Sequence, residues 1–420
     1  MYYLYFKIKS LLKMLDLKLP KTAFYSILIS FSGSLVMFVV NIIFVNILSD
    51  NDLGQYTIVR TSIILFPLII FLGFGNSLIR FHRHSNIFEY NWKKPIIESL
   101  LYASILCIPF IVIFNNQYHF SYFQNILLFS SCILLGRLLL SSALLRISEQ
   151  YVVGIVIKNI WRLVFIFILL SALYLKGSID ITSILIVIIL SIFLAIMLAL
   201  NKEKNIPFGT KKIKYSLILS SGFMFFLLGS SDVFLSQFDK LLIGADLILV
   251  GKYNAISILP FVGFNLTASS IGTVLMPYII NNSKSFSYYK KYIIIFCFII
   301  VPASIYLVLN IVGADLVSII YRDKYTDIDN LFFYCNILGA IQYLQVLAYF
   351  LIGATLSDKS IKIITILNVL IILGTYPLYN LLESGGNLIN AVTCFILIWS
   401  LRFLISIFFL LRKNVESDKF

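Results

Sequence analysis

Arg60, Arg137, Lys158, Arg162 and Arg402, together with Asp232, Asp239 and Lys240, all lie inside long apolar runs of the sequence. A charged group at the centre of a membrane helix costs roughly 2.5–3.5 kcal/mol on insertion scales, so such residues face a wet cavity or a partner. Their signs do not cancel. Leaving aside the adjacent pair Asp239 and Lys240, four of the five basic residues sit in the first half, and no Asp or Glu shares the runs that hold Arg60, Arg137, Lys158 and Arg162. Lys158 and Arg162 are one helical turn apart and share a face, and Arg137, in the middle of its own run, is placed to join them. The chemistry that suits such a group is anion binding, with Arg offering phosphate a bidentate fork and Lys a point charge. We therefore expect a cationic cavity for an anionic substrate, formed by Arg137, Lys158 and Arg162 and joined by Arg60. The plainer alternative has Lys158 snorkelling to the membrane interface and Arg137 held by free backbone carbonyls. Arg60, near the outer surface, is as open to snorkelling as to binding, and Arg402 reads as structural.

Asp239 beside Lys240 reads as a self-contained ion pair. Asp232, Asp239 and Lys240 are also the candidates for ion coupling or gating. His82, His84 and His119 have no partners at metal-ligand spacing, and Cys107, Cys132, Cys297, Cys335 and Cys394 lie in apolar runs without paired or CxxC spacing. Neither a metal, a disulfide framework nor a cofactor is expected. A glycine-rich nucleotide loop, a Walker motif and a nucleophile elbow are all absent, so ATP hydrolysis is not expected either.

The elements that position these residues follow from composition. At 60% hydrophobic and 12% charged, the chain is far more apolar than a soluble globule. Its apolar runs are continuous and do not alternate, which selects membrane helices over a closed barrel. Twelve spans are predicted: 24–48, 57–79, 96–114, 122–146, 151–175, 179–200, 215–243, 250–278, 291–312, 329–354, 361–381 and 388–411. Residues 1–20 place Leu4, Ile8, Leu11, Leu12, Leu15 and Leu19 at helical spacing opposite Lys9, Lys13 and Asp16. That pattern predicts a cytoplasmic interfacial helix.

The loops sort by charge. One set carries Lys7 to Lys21, Arg80, Arg83, Lys93, Lys94, Arg146, Lys202 to Lys214, Lys284, Lys290, Lys291, Lys359, Lys362, Arg412 and Lys413. The other, short, set holds Asp50, Asp52, Asp180, Asp246, Asp315, Asp327, Asp329 and Glu383. The two sets alternate across all twelve spans, so the positive-inside rule puts both termini in the cytoplasm. The net charge of +14 is spent on that asymmetry, and a nucleic-acid partner is not expected.

The chain also repeats itself. Phe44–Tyr56, FVNILSDNDLGQY, is echoed by Phe234–Tyr253, FLSQFDKLLIGADLILVGKY, each ending on Gly-x-Tyr. Pro67 and Pro109 return as Pro260 and Pro302, 193 positions later. The reading is an all-α membrane protein of two parallel six-helix repeats: residues 1–20 interfacial, 21–200 the first lobe, 201–214 a cytoplasmic linker, and 215–420 the second lobe. The linker is long enough to let the lobes move, and Pro67, Pro109, Pro260 and Pro302 are the candidate hinges, since a proline breaks the helical ladder.

With NILSDNDLGQYTIV (Asn46–Val59), GFGNSLIRF (Gly73–Phe81) and FDKLLIGADLILVGKYN (Phe238–Asn254) in view, the chain resembles the polysaccharide transporters of the multidrug/oligosaccharidyl-lipid/polysaccharide exporter superfamily, specifically O-antigen flippases of the Wzx type. The likeness extends over nearly the whole chain. It implies a MATE-like pair of lobes around a central cavity, in the bacterial inner membrane. The substrate it implies is an undecaprenyl-pyrophosphate-linked oligosaccharide repeat of O-antigen or capsule type, moved outward by alternating access. Membrane lipid, a polysaccharide polymerase and a chain-length regulator are the implied partners. Related peptidoglycan-precursor flippases usually have fourteen spans, which argues against that substrate. Drug exporters of the superfamily often carry an acidic residue in the first span, and residues 24–48 have none. An ion-coupled small-molecule exporter and, from another class, a multispanning sugar polymerase or acyltransferase stay as alternatives, although the short outer loops disfavour an enzyme.

Overall fold

The computed structural model describes residues 21–75, 77–78, 87–206, 209–281, 296–322, 324–325, 329–356, 358–382 and 388–417. The expected interfacial helix 1–20, Arg80, His82, Arg83, His84, Lys284, Lys290, Lys291, Asp327, Glu383 and the side chain of Asp232 lie outside the described residues. Twelve long helices carry the described fold: α1 (Lys21–Ile47), α2 (Asp50–Ile70), α3 (Lys93–Tyr118), α4 (Tyr122–Ile147), α5 (Tyr151–Lys176), α6 (Ile181–Glu203), α7 (Tyr215–Ile243), α8 (Leu247–Asn281), α9 (Val301–Tyr321), α10 (Asp329–Thr355), α11 (Asp358–Leu382) and α12 (Leu388–Ser417). Eleven of them are long and apolar enough to cross a membrane. The twelfth, α7, is 29 residues long and carries Asp232, Asp239 and Lys240. The chain is a multi-pass membrane protein.

Local chemistry sets the ends. Ser49 accepts a hydrogen bond from the Asp52 amide at 3.2 Å and starts α2 at Asp50, seven residues before the predicted 57, with Asp50 and Asp52 facing the positive end of the helix dipole. The same helix stops at Ile70 and not at 79, because Leu72 and Gly73 take positive φ values of 47° and 63°. Ser121 and Gln124 cap α4 reciprocally. Asp180 caps α6, and the Ser183 hydroxyl donating to it at 2.5 Å holds its carboxyl below the usual range.

One expectation needs correction. Asp315 is inside α9, which runs on to Tyr321, so it is not a loop residue. Pro302 lies in the first turn of α9, directly after a π-helical turn at Phe296–Ile300, at an irregularity within one continuous span, Cys297–Tyr321. Pro67 and Pro109 are interior to α2 and α3, and Pro260 is interior to α8. All four candidate hinge prolines thus fall within helical spans.

Each lobe is built around one helix. In the first, α4 packs on α2, α5 and α6, and α1 lies on α5; in the second, α10 packs on α8, α9 and α12, while α11 lies on α12 and α7. The lobes meet where α8 packs on α2 and α1, and α7 on α2. There the two Gly-x-Tyr motifs touch each other. A Cβ on Gly54 would stand 1.9 Å from the Leu247 carbonyl oxygen, and one on Gly251 2.8 Å from that of Asp50. Gly251 follows Gly54 by the same 197 positions that separate Leu247 from Asp50. The contact is thus its own counterpart, so the pseudo-two-fold axis of the repeat passes between these glycines, whose missing side chains let the backbones meet.

The linker is not a free tether. Glu203 at the end of α6 is held by Arg137 at 2.7 and 3.0 Å. Further on, Lys211 exchanges backbone hydrogen bonds with Glu89 (3.0 Å) and Asn91 (2.9 Å), and its ammonium also pairs with the Glu89 carboxylate. The linker is fastened to the first lobe at both ends.

Candidate functional site

A cavity of about 290 Å³ opens between the lobes, with walls from α1, α2, α5, α6, α7 and α8. Its cations are Arg60, Arg162 and Lys240, one on each of three helices. Arg60 donates to Asn41 Oδ1 at 3.3 Å, and the same oxygen accepts from Asn254 of the second lobe at 3.0 Å. Arg162 lies over Trp161, 5.8 Å from the ring centroid, and is close enough to Arg60 for the two charges to repel. Lys240 is buried, 5.4 Å from the centroid of Phe261, and also feels the charge of Arg60. Three cations on facing walls leave an excess of positive charge that a bound anion relieves.

The nearest compensating acid is Asp239. It pairs with Lys240 at 3.5 Å, and its second oxygen accepts from Tyr253 at 2.5 Å. Both members of the pair are buried, and with the Lys240 amide also donating at 2.8 Å the carboxylate is committed to three donors from two residues. Asp232 lies one to two turns earlier on α7, with its side chain outside the described residues.

The remaining predicted cations divide. Lys158, one turn before Arg162 on α5, lies at the surface of the helix and stands within electrostatic reach of both Arg162 and Arg146. It continues the line of charge from the cavity towards the end of α4. Arg137 is not on the cavity wall. The carboxylate absent from its own span comes from Glu203, at the far end of α6, in a two-pronged pair whose members are only 13% and 9% exposed. Arg402 is fully buried in the second lobe, donating to Asn368 at 3.0 Å and Ser231 at 3.2 Å and stacked 4.8 Å from the Trp399 centroid.

Several residues in or beside the cavity were not singled out by the sequence reading. Tyr56 and Tyr253 were visible only as part of a repeat; their burial beside Arg60 and Asp239 gives the repeat a chemical role. Asn41, Asn254, Thr61 and Ser257 had no signal beyond being polar in apolar runs. Glu203 is the sole acid of the linker stretch Asn201–Lys214, and that was the clue to Arg137's partner.

On the side of the cavity bearing Asp50, the lobes are closed against each other. Lys324 donates to the Val45 and Leu48 carbonyls at 3.1 and 2.9 Å and pairs with Asp50 at 3.1 Å. Tyr325 also donates to Asp50, at 3.2 Å, Asn46 donates to the Ile320 carbonyl at 3.2 Å, and Tyr118 donates to that of Leu241 at 2.9 Å. Together with the Gly54–Gly251 crossing these contacts form a seal between the lobes.

Two pseudo-symmetric helical lobes, sealed on one side of a charged inter-lobe cavity, give the architecture of a helical membrane transporter. The particular family follows from sequence: residues 19–283 match the family model described as polysaccharide biosynthesis protein, and the chain belongs to that family. No curated protein matches the chain in sequence. Among solved structures it is similar to the lipid II flippase MurJ in an inward closed conformation, with a TM-score of 0.68 at 15% identity, covering 92% of this chain and 87% of that one. It is also similar to an outward-facing multidrug resistance MATE family transporter of the MOP superfamily, with a TM-score of 0.64 at 12% identity and coverages of 95% and 96%. A third is the Vibrio cholerae MATE transporter VcmN in its bent form, with a TM-score of 0.58 at 12% identity and coverages of 94% and 98%. The fold is that of the MOP exporters.

Proposed function

We propose that the protein is a flippase that carries an undecaprenyl-pyrophosphate-linked oligosaccharide, of O-antigen or capsule type, outward across the bacterial inner membrane. The observation that carries this reading is the cavity's charge: Arg60, Arg162 and Lys240 line it, and Asp239, the neighbouring carboxylate among the described side chains, is engaged by Lys240 and Tyr253. A pyrophosphate head is the part of such a lipid that those groups suit, through the bidentate fork of Arg and the point charge of Lys. Membership of the polysaccharide biosynthesis family and the likeness of fold to a lipid II flippase support a lipid-linked sugar as the cargo. Lys158 provides a first contact for the head group on its way to Arg162. In this reading both termini are cytoplasmic, the linker 201–214 joins lobe 21–200 to lobe 215–420 on the cytoplasmic side, and the Asp50 seal faces outward.

The direction of transport has an energetic consequence. If about two negative charges move outward, an inside-negative potential assists by about 2.3 kcal/mol per charge per 100 mV. The protein reconstituted in liposomes with a fluorescent undecaprenyl-pyrophosphate-linked oligosaccharide should therefore flip it under a potassium-diffusion potential with no proton or sodium gradient. Flipping that is indifferent to the potential and strictly dependent on an ion gradient would count against this reading. Replacement of Arg162 by Lys should leave partial flipping, and replacement by Glu should abolish it in protein that inserts normally.

A further inference from the structure

We infer that Asn41 and Asn254 are positioning residues that make the cavity's hold on an anion depend on the seal. With the lobes together Asn254 occupies Asn41 and leaves Arg60 to the cavity; with the lobes apart Asn41 draws Arg60 away. The oxygen Asn41 Oδ1 accepts from Asn254 at 3.0 Å and from Arg60 at 3.3 Å. Arg60 can only donate, so the Asn41 atom that faces it is the oxygen. A charge-assisted bond ordinarily closes to about 2.7–2.9 Å, and the longer Arg60 contact marks a guanidinium that is only partly held. Arg60 is on the cavity wall, so its remaining donors are open to a ligand there. Asn41 is fully buried and outside that wall, and it acts through Arg60 and not on the ligand.

Placement ties this contact to the seal. Asn41 is six residues before the end of α1 at Ile47, and Asn254 is seven residues after the start of α8 at Leu247, so both lie about 9–10 Å inside the sealed end. They belong to opposite lobes, and parting of the lobes at the Asp50 end separates them. Arg60 and Asn41 are on α2 and α1 of one lobe and stay together. The Asn41 oxygen, with a lone pair vacated by Asn254, then becomes a full acceptor for Arg60, and that bond competes with the cargo for the guanidinium. A carrier that moves an anion outward gains from this, because its cavity binds tightly while closed on the Asp50 side and loosely once open there. The inference deepens the proposed function and rests on Arg60 binding the anion, but not on the identity of the sugar.

The test is a mutant cycle read by calorimetry, with inorganic pyrophosphate titrated into the purified full-length protein in nanodiscs. Asn254→Ala should weaken binding about tenfold, the size expected for one hydrogen bond to a charged group, because Asn41 then holds Arg60. Asn41→Ala should bind more tightly than wild type, and added to Asn254→Ala it should recover the loss. Asn254→Leu, close in volume, takes the place of the alanine variant if that one does not fold. The seal variant Lys324→Ala with Tyr325→Phe changes two residues outside the cavity wall; it should weaken binding by the same factor and be restored by the same Asn41→Ala. A double variant as weak as Asn254→Ala overturns the inference, since it makes Asn254 a direct contact or a packing residue, and so does unchanged affinity in the seal variant. Wild-type affinity in Arg60→Gln removes Arg60 from anion binding and overturns the inference together with the cavity reading beneath it. Should the cycle hold in protein that fails to flip the lipid-linked oligosaccharide, the inference stands and the transport assignment falls.

Discussion

The crossing of α2 and α8 gives two equivalent glycines different tolerances, and the difference can be worked out. A methyl group at Gly54 would lie 1.9 Å from the Leu247 carbonyl oxygen, and one at Gly251 would lie 2.8 Å from that of Asp50. Ordinary contact begins near 3.4 Å, so Gly54→Ala demands a separation of 1.5 Å (3.4 less 1.9) and Gly251→Ala only 0.6 Å (3.4 less 2.8). The obstacle is helix backbone in both cases, so the helices themselves must part. Overpacking of this kind costs about 1–3 kcal/mol, and the larger shift belongs at the upper end. Alanine also improves helix propensity over glycine by about 0.8–1.0 kcal/mol. The balance predicts a net loss of about 2 kcal/mol for Gly54→Ala and about zero for Gly251→Ala. Both can be read from denaturant titration of the detergent-solubilised protein, followed by tryptophan fluorescence. Equal stabilities for the two variants would refute the asymmetry, and a Gly54→Ala protein as stable as wild type would refute the close approach itself.

Three further outcomes are expected. Arg137→Gln should destabilise the protein by about 3–5 kcal/mol through the stranded Glu203 carboxylate, whereas Arg137→Met combined with Glu203→Leu should recover most of that loss; the same denaturant titration decides, and a wild-type-like Arg137→Gln would return Arg137 to the list of substrate ligands. A cysteine at Asn51 should react with an impermeant thiol reagent added outside cells and one at Lys212 should not, both positions being exposed; the converse pattern reverses the orientation. Asp180→Ala should cost about 1 kcal/mol as the loss of a helix cap. Because the Asp180 carboxyl titrates below its unfolded value, its contribution is present above the unfolded carboxylate range and fades as pH falls through the lower folded value. Asp180→Asn should remove that acid dependence while keeping the cap, as seen in parallel melts across the acid range.

Much of this protein is legible in its sequence, because the bilayer reduces the choices a chain can make. Continuous apolar runs of about twenty residues leave helices as the spanning element, and the twelve predicted spans correspond to the twelve long helices. Their ends were less legible. Ser49 and the positive φ at Leu72 and Gly73 shift α2, and these are local hydrogen-bond and torsional effects on which hydropathy is silent. The repeat FVNILSDNDLGQY was visible as a pattern, and only the folded chain gives its reason: the two Gly-x-Tyr copies meet, so each glycine serves the other's backbone. Sequence alone also determined that buried cations outnumber buried acids in the first half, since that is a matter of counting. Which cations face a cavity is decided by distances across helices far apart in the chain. Arg137 and Arg162 look alike in their spans, yet Glu203, 66 residues away, takes one out of play and leaves the other beside Arg60. The hydrogen bond between Asn41 and Asn254, 213 residues apart, had no signal beyond the polarity of its two residues, because it joins the lobes and only tertiary packing brings such buried groups together.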